Sequence, residues 1–111
     1  MAIIDVREIT NYLTGDAMAY WTFLTNHAQV LICVSRNSRM TARAIAEIVG
    51  ITERAVQRIL DDLEAAAYLT RTRDGRKNMY EIHPERPMRH PAQHGLAIRD
   101  LLGLLAATET E

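Results

Sequence analysis

The sequence predicts a mainly α-helical fold that carries one small β-hairpin. Three features of the 111 residues predict it. A pair of short amphipathic helices joined at a glycine occupies residues 41–63, a period-two pattern occupies residues 68–83, and longer apolar stretches flank both. The length suits one modest core, and an apolar content of 48% is ordinary for a folded domain.

The helix pair reads TARAIAEIVGITERAVQRILDDL and has the form of a helix-turn-helix. Gly50 can adopt the left-handed conformation that ends a helix, and Thr41 and Thr52 stand at N-cap positions. Apolar residues recur at the i, i+3, i+4 spacing of half-buried helices. They are Ile45, Ala46 and Val49 in the first helix and Val56, Ile59, Leu60 and Leu63 in the second, which is predicted over 52–66.

Such a corner places the N-terminal half of its second helix in the major groove of DNA. Arginine can donate two hydrogen bonds to guanine, and glutamine can pair with adenine. The alternative is an ordinary helical hairpin whose charges are solvated. The outward positions are Glu53, Arg54, Gln57, Arg58 and Asp61.

A β-hairpin is predicted from residues 68–73 and 77–83, which alternate apolar and polar side chains. Asp74-Gly75 between them predicts a type I′ turn. A two-residue loop at that point pairs Arg73 with Arg76, Arg71 with Asn78 and Leu69 with Tyr80.

Cations gather at the tip of this predicted hairpin, at Arg71, Arg73, Arg76 and Lys77. Like charges that face each other across a hairpin are unfavourable, and a phosphate backbone would remove that cost. The formal net charge of the chain is −1, but residues 36–77 hold nine Lys or Arg against six Asp or Glu. The basic surplus therefore coincides with the helix-turn-helix and the hairpin.

The flanking segments predict a homodimer. Residues 1–15 are expected to form an arm or a short helix that ends at Gly15, and a helix is expected from Asp16 to about Ser35. That helix is apolar on all sides and needs cover from a second copy of the chain. Arg39-Met40 could add a short strand. Residues 16–83 then form the DNA-binding domain, residues 84–111 a Pro-rich linker and a last helix, and helices 17–35 and 92–106 the dimer contact.

Other functions find little support. One cysteine excludes an internal disulfide, and we see no signal peptide or membrane span, so a cytoplasmic protein is expected. No arrangement of catalytic residues, cofactor motif or convincing metal site is visible, which predicts a protein that is not an enzyme. Cys33 is expected to be a buried thiol rather than a redox sensor, and His27 a core or interface residue.

Two further alternatives concern ligands. His83, His90 and His94 could bind a metal, but capping or packing of the Pro-rich segment is favoured, because His90 precedes a proline. Tyr20, Trp21 and Phe23 could line a pocket for a small-molecule effector, although core or interface roles are more common for such residues, and nothing in the sequence supports an effector.

The order helix, helix-turn-helix, two-stranded wing, helix resembles the winged helix-turn-helix transcriptional regulators of the MarR/ArsR-like group. The runs AIAEIVGITERAVQRILDDLEAAAYL and RTRDGRKNMYEIH carry the resemblance, and Asp74-Gly75-Arg76 is similar to the Asp-x-Arg of MarR-type wings. For this wing, the resemblance implies that the arginine enters the minor groove and that the aspartate holds the arginine in position. The Gly-Arg and the later Tyr80 are also similar to ArsR-type wings.

The resemblance implies a homodimer that binds a pseudo-palindromic operator in double-stranded DNA. By position, Arg54, Gln57 and Arg58 match base-reading residues, and Arg43 and Thr52 match phosphate contacts. The terminal helices are shorter than is typical of MarR proteins, which argues against a deep ligand pocket. The competing hypothesis is a winged helix that docks on a protein and does not bind DNA.

Overall fold

The computed structural model describes residues 21–106, where four helices and one antiparallel hairpin form a winged helix-turn-helix. The predicted fold class is thereby confirmed. The arm or short helix expected over residues 1–15 and the tail after Ala106 lie outside this range. The elements are α1 (Asn26–Arg36), α2 (Ala42–Val49), α3 (Glu53–Ala65), β1 (Leu69–Asp74), β2 (Lys77–Ile82) and α4 (Ile98–Ala106), with a short 3-10 turn at Pro91–Gln93.

Helix α1 begins at Asn26, so the prediction of a continuous helix from Asp16 is wrong. Thr25 has extended backbone angles, and its hydroxyl accepts a hydrogen bond from the Ala28 N–H. Thr22 also turns the chain, because its hydroxyl donates to the Leu24 carbonyl at 2.7 Å. The apolar content of residues 18–34 did not indicate where the helix begins, because a threonine cap inside an apolar run is a weak signal.

The helix-turn-helix forms as predicted. The Thr41 hydroxyl accepts the Ala44 N–H at 3.1 Å, and the Thr52 hydroxyl accepts the Ala55 N–H at 3.0 Å. Gly50 ends α2 with a φ of 88°, in the left-handed region that a side chain disfavours. Helices α2 and α3 therefore meet at a fixed corner.

Helix α3 ends in a left-handed turn at Ala67, whose φ is 67°. The Tyr68 N–H bonds to the Leu63 carbonyl and the Ala67 N–H to the Glu64 carbonyl, each at 2.9 Å. This pair of bonds is the Schellman arrangement, which satisfies helix-end carbonyls. The last helical residue, Ala65, agrees with the predicted end within a residue or two.

The hairpin is present, but its predicted register is wrong by two residues. Leu69 pairs with Ile82, Arg71 with Tyr80 and Asp74 with Lys77. The loop is therefore Gly75-Arg76, and only Gly75 has a positive φ, of 68°, as the first position of a type II′ turn requires. Arg73 faces Asn78, so Arg73 and Arg76 do not oppose each other across the strands.

The core lies where α1, α2 and α3 meet the hairpin. A two-residue shift leaves each strand's inward face unchanged, so Leu69 and Tyr80 are buried and Ile82 packs beside them as expected. Cys33 is also buried, and desolvation raises the pKa of its thiol, although nearby Arg36 opposes the rise. Other members of the core are Val30, Leu31, Val34, Ile45, Ala46, Val56, Ile59, Leu60, Leu63, Tyr68 and Ile98.

The segment after the hairpin packs on the body instead of forming a loose linker. The Tyr68 hydroxyl donates to the Pro87 carbonyl at 2.6 Å, and Pro87 pairs with Ala97 in an isolated bridge. Pro91 starts the 3-10 turn, so the expectation of one helix from residue 92 is wrong and α4 begins only at Ile98. The chain at Arg39-Met40 is not a strand, although the Ser38 carbonyl accepts the Tyr80 N–H at 2.9 Å.

Candidate nucleic-acid interface

Helix α3 presents one polar face to solvent because its apolar face is fixed in the core. Val56 and Leu60 are completely buried, which sets the rotation of the helix about its axis. The opposite positions Arg54, Gln57 and Arg58 are exposed and succeed each other at helical spacing. They therefore project from one side of the molecule.

Several cations of the helix-turn-helix and the hairpin remain available to a partner. Arg43, Arg54, Arg58, Arg76 and Lys77 are exposed and form no ion pair with any residue in 21–106. Arg73 is likewise exposed, and its guanidinium donates only to the Asn78 side-chain oxygen, at 3.4 Å. These are the charges that a polyanion could meet without first breaking a salt bridge.

The tip of the hairpin is anchored to the loop before α2. The Arg39 guanidinium lies 2.6 Å from the Asp74 carboxylate. In the Asp-x-Arg pattern the aspartate would steady Arg76, but here Asp74 is engaged by Arg39. Arg76 therefore stands at the turn with its charge uncompensated by residues 21–106.

Arg71 differs from the other hairpin cations because it points back to α3. Its guanidinium donates to Asp61 at 2.5 Å and to Glu64 at 2.9 Å, and only 22% of its side chain is exposed. Partial burial acts to lower the pKa of Arg71, but the hydrogen bonds to the two carboxylates outweigh it and raise the pKa. Hydrogen bonds from Arg71 in turn lower the pKa of Glu64.

A second pair connects α1 to α3. His27 is exposed, so of the core and interface roles expected for it the core role is wrong, and its Nε2 lies 2.8 Å from the Asp62 carboxylate. The two side chains border an open cleft of about 340 Å³ that Arg58 and Ile59 also line. Another open cleft, of about 430 Å³, lies between the end of α1, β2 and α4.

The remaining candidates have local roles. The Thr52 hydroxyl is occupied as the cap of α3, and His90 caps the 3-10 turn by accepting the Ala92 N–H. His83 hydrogen-bonds the Thr70 hydroxyl at 2.7 Å. Within residues 21–106, no three His, Cys, Asp or Glu side chains come together as metal ligands would. Trp21 and Phe23 touch edge to face and line neither cleft, and Tyr20 lies outside the described range.

Comparison with known proteins decides the family. Residues 22–77, half of the chain, match the sequence profile of the MarR family. This chain belongs to the MarR family. Members of the MarR family are DNA-binding transcription regulators and not enzymes. Of the two groups that the hairpin resembles, the match supports MarR.

One relative is similar in sequence to part of this MarR-family chain. It is an uncharacterised protein of Methanocaldococcus jannaschii, 27% identical over 85 residues. The alignment covers 72% of this chain but 18% of the relative, so the chain spans less than a fifth of that protein's length. Among residues 21–106 no helix is long and apolar enough to cross a lipid bilayer.

Sequence reasoning missed three contacts of this MarR-family site, those of Arg39, His27 and Arg71. The contact of Arg71 could have been predicted, because Arg71 is two residues after Leu69 on β1 and therefore lies on the same, inward face of the strand. Its partners Asp61 and Glu64 are three residues apart and therefore lie on one side of α3. The contacts of Arg39 and His27 join residues 35 apart in the sequence and carry no local signature.

Proposed function

We propose that the protein binds a specific DNA operator as a homodimer, with α3 in the major groove and the hairpin on the minor groove and the backbone. One observation carries the proposal. Arg54, Gln57 and Arg58 share an exposed face of α3, and neither arginine forms an ion pair within residues 21–106. Arginine and glutamine at these positions suit guanine and adenine edges.

The charge pattern supports DNA over a protein partner. Four carboxylates on α3 would repel phosphates, yet three of them already have partners. Asp61 and Glu64 contact Arg71, and Asp62 contacts His27. The fourth, Glu53, lies in the first turn of α3, where a negative charge favourably meets the helix dipole.

The other proposed contacts act on the backbone and the minor groove. Arg43 and the N-terminus of α3 at Thr52 would bind phosphates, and Arg73, Arg76 and Lys77 would follow the adjacent minor groove. Arg71, which the sequence also offers as a DNA contact, is engaged by Asp61 and Glu64 of α3. The proposed location of this regulator is the cytoplasm.

Selection from a random duplex pool at several salt concentrations tests this function. We expect an enriched two-fold site and an affinity that falls steeply with salt, and the half-site spacing would report the dimer geometry. No enrichment, with binding no tighter than the roughly 10⁻⁴–10⁻⁶ M of non-specific contact, would instead support protein docking.

Single substitutions separate base reading from backbone binding. Arg54→Ala or Arg58→Ala should change the selected sequence and cost roughly 1–3 kcal/mol on the wild-type site. Arg76→Ala should weaken binding to most sequences and reduce the salt dependence by about one phosphate contact. Arg89→Ala, which removes an exposed cation outside both elements, is the charge-matched control. The proposed docking is wrong if both α3 variants select and bind like the wild type.

A further inference from the structure

We infer that Arg71 is a positioning residue for DNA binding. It pairs with two carboxylates of α3, cancels one of their two negative charges and fixes the hairpin against that helix without touching DNA. The inference rests on the proposed function and assigns Arg71 a role opposite to the direct contact that its sequence position suggests. It also predicts how binding depends on Asp61 and Glu64.

The geometry shows a shared clamp. Glu64 accepts both the Arg71 side chain, at Nε and 2.9 Å, and the Arg71 backbone N–H, at 3.3 Å. The same guanidinium reaches Asp61 through its terminal nitrogen. A planar guanidinium can serve two carboxylates at once, which a lysine ammonium cannot do with the same geometry. Strand β1 is thereby tied to the last two turns of α3.

The position of Asp61 makes this clamp relevant to DNA. Asp61 continues the outward series of Arg54, Gln57 and Arg58, three residues after the last of them. It lies roughly 10 Å along the helix axis from Arg54 at 1.5 Å per residue. An uncompensated carboxylate there would face the same polyanion as the base-reading cations, and Glu64 would add a second.

Arg71 itself is poorly placed for a phosphate. Most of its side chain is covered, whereas Arg73, two residues along the same strand, is exposed. To reach DNA, Arg71 would have to abandon two charge-assisted hydrogen bonds and leave both acids unpaired. Arg73 has no carboxylate partner among residues 21–106, so it is a matched control on the same face of the hairpin.

The test is a double-mutant cycle. The effect of Arg71→Gln is compared in the wild type and in the acid-neutral variant Asp61→Asn/Glu64→Gln. In each, DNA affinity of the full chain is measured with and without Arg71→Gln at low and high salt. In the wild-type background we expect Arg71→Gln to weaken binding at least about tenfold at low salt, with a smaller loss at high salt. In the acid-neutral background we expect a change of less than about twofold, because the carboxylates that Arg71 pairs with are absent.

The control and the contrary outcomes are distinct. Arg73→Gln should cost the same factor in both backgrounds, since a direct contact does not depend on the acids. An equal loss for Arg71→Gln in both backgrounds would overturn the inference and make Arg71 a DNA contact. Thermal unfolding of each variant reports whether the fold survives. A loss that does not depend on salt would show that Arg71 acts only by holding the hairpin and not through the charges of Asp61 and Glu64, which would also overturn the inference. Failure of the wild type to bind any duplex would refute the proposed function itself.

Discussion

Gly50 and Ala67 both turn the backbone left-handed at the end of a helix, with φ of 88° and 67°. A side chain in this region costs about 1–2 kcal/mol, which glycine avoids. We therefore expect Gly50→Ala to destabilise the fold by about 1–2 kcal/mol. Ala67→Gly should stabilise it by up to about 1 kcal/mol, because the greater freedom of an unfolded glycine offsets part of the gain. Urea unfolding of both variants checks the signs, and a change in the same direction for both would contradict this account.

Glu64 gives the fold a pH dependence whose sign follows from its lowered pKa. A carboxyl with a lower pKa in the folded state stabilises the fold at pH above its unfolded value of about 4.3. This contribution disappears as the pH falls through the folded pKa. We expect Glu64→Gln to flatten the loss of unfolding free energy on acidification below about pH 4.3. Urea titrations of this variant and of the wild type at several pH values make the comparison, and equal slopes would contradict this account.

At the scale of elements, the sequence predicted α2, α3 and the inward face of the hairpin, because each depends on local chemistry. Threonine caps, a glycine end and apolar periodicity act within a few residues of each other. The hairpin register escaped prediction because Asp74-Gly75 and Gly75-Arg76 both permit a two-residue loop, and a shift of two preserves the buried face. The register is therefore decided outside the turn, where the Arg39 contact to Asp74 and the Ser38 bond to Tyr80 hold the strands.

The beginnings of α1 and α4 were also beyond local reasoning. Residues 84–97 lie folded on the body through the Tyr68 hydroxyl and the Pro87–Ala97 bridge, so that α4 starts later than its apolar pattern suggests. The charge clamp between Arg71 and α3 depends on how the hairpin meets α3, which no local pattern specifies. Local patterns thus predicted which side chains of α3 are exposed but not the contacts that hold the hairpin against this helix.

The Tyr68 hydroxyl tests how firmly this segment is held. Tyr68→Phe removes one hydrogen bond and should cost about 0.5–1.5 kcal/mol, since the Pro87 carbonyl is near the surface and can bind water. We expect faster cleavage by trypsin after Arg89, which lies in the released segment. Tyr80→Phe, in the same core but without this bond, is the control. Equal cleavage rates for Tyr68→Phe and the wild type would show that the remaining backbone bonds suffice.

At the scale of the whole molecule, the near-neutral net charge of −1 does not show that the cations fall into two groups with different contacts. Arg39 and Arg71 are engaged in ion pairs that hold the hairpin, whereas Arg54, Arg58, Arg76 and Lys77 form no ion pair within residues 21–106. Asp61 and Glu64 contact Arg71 and not the exposed arginines of α3, so the surface that DNA would meet is more basic than the composition suggests. Counting charges along the sequence located this surface but could not say which cations it offers.

The proposed homodimer would also explain the apolar side chains that the single chain leaves uncovered. Phe23 is 90% exposed, Trp21 72% and Leu104 71%. The two aromatic residues lie just before α1, and Leu104 lies late in α4. Exposed aromatic and aliphatic groups of this size are typical of an interface core. The expected contact through helices 17–35 and 92–106 would therefore use the segment before α1 together with α1 and α4.

Leu104→Asp should dissociate this dimer without unfolding the monomer, because Leu104 is mostly outside the monomer core. We expect sedimentation equilibrium to show a dimer for the wild type and a monomer for the variant at the same concentration. Affinity for a two-fold operator should then fall toward that of a single half-site, since two linked modules bind with a high effective concentration. The control is Thr72→Asp, which adds the same charge at an exposed position of the hairpin and should sediment as a dimer like the wild type. A dimer that persists in Leu104→Asp would place the interface away from the end of α4.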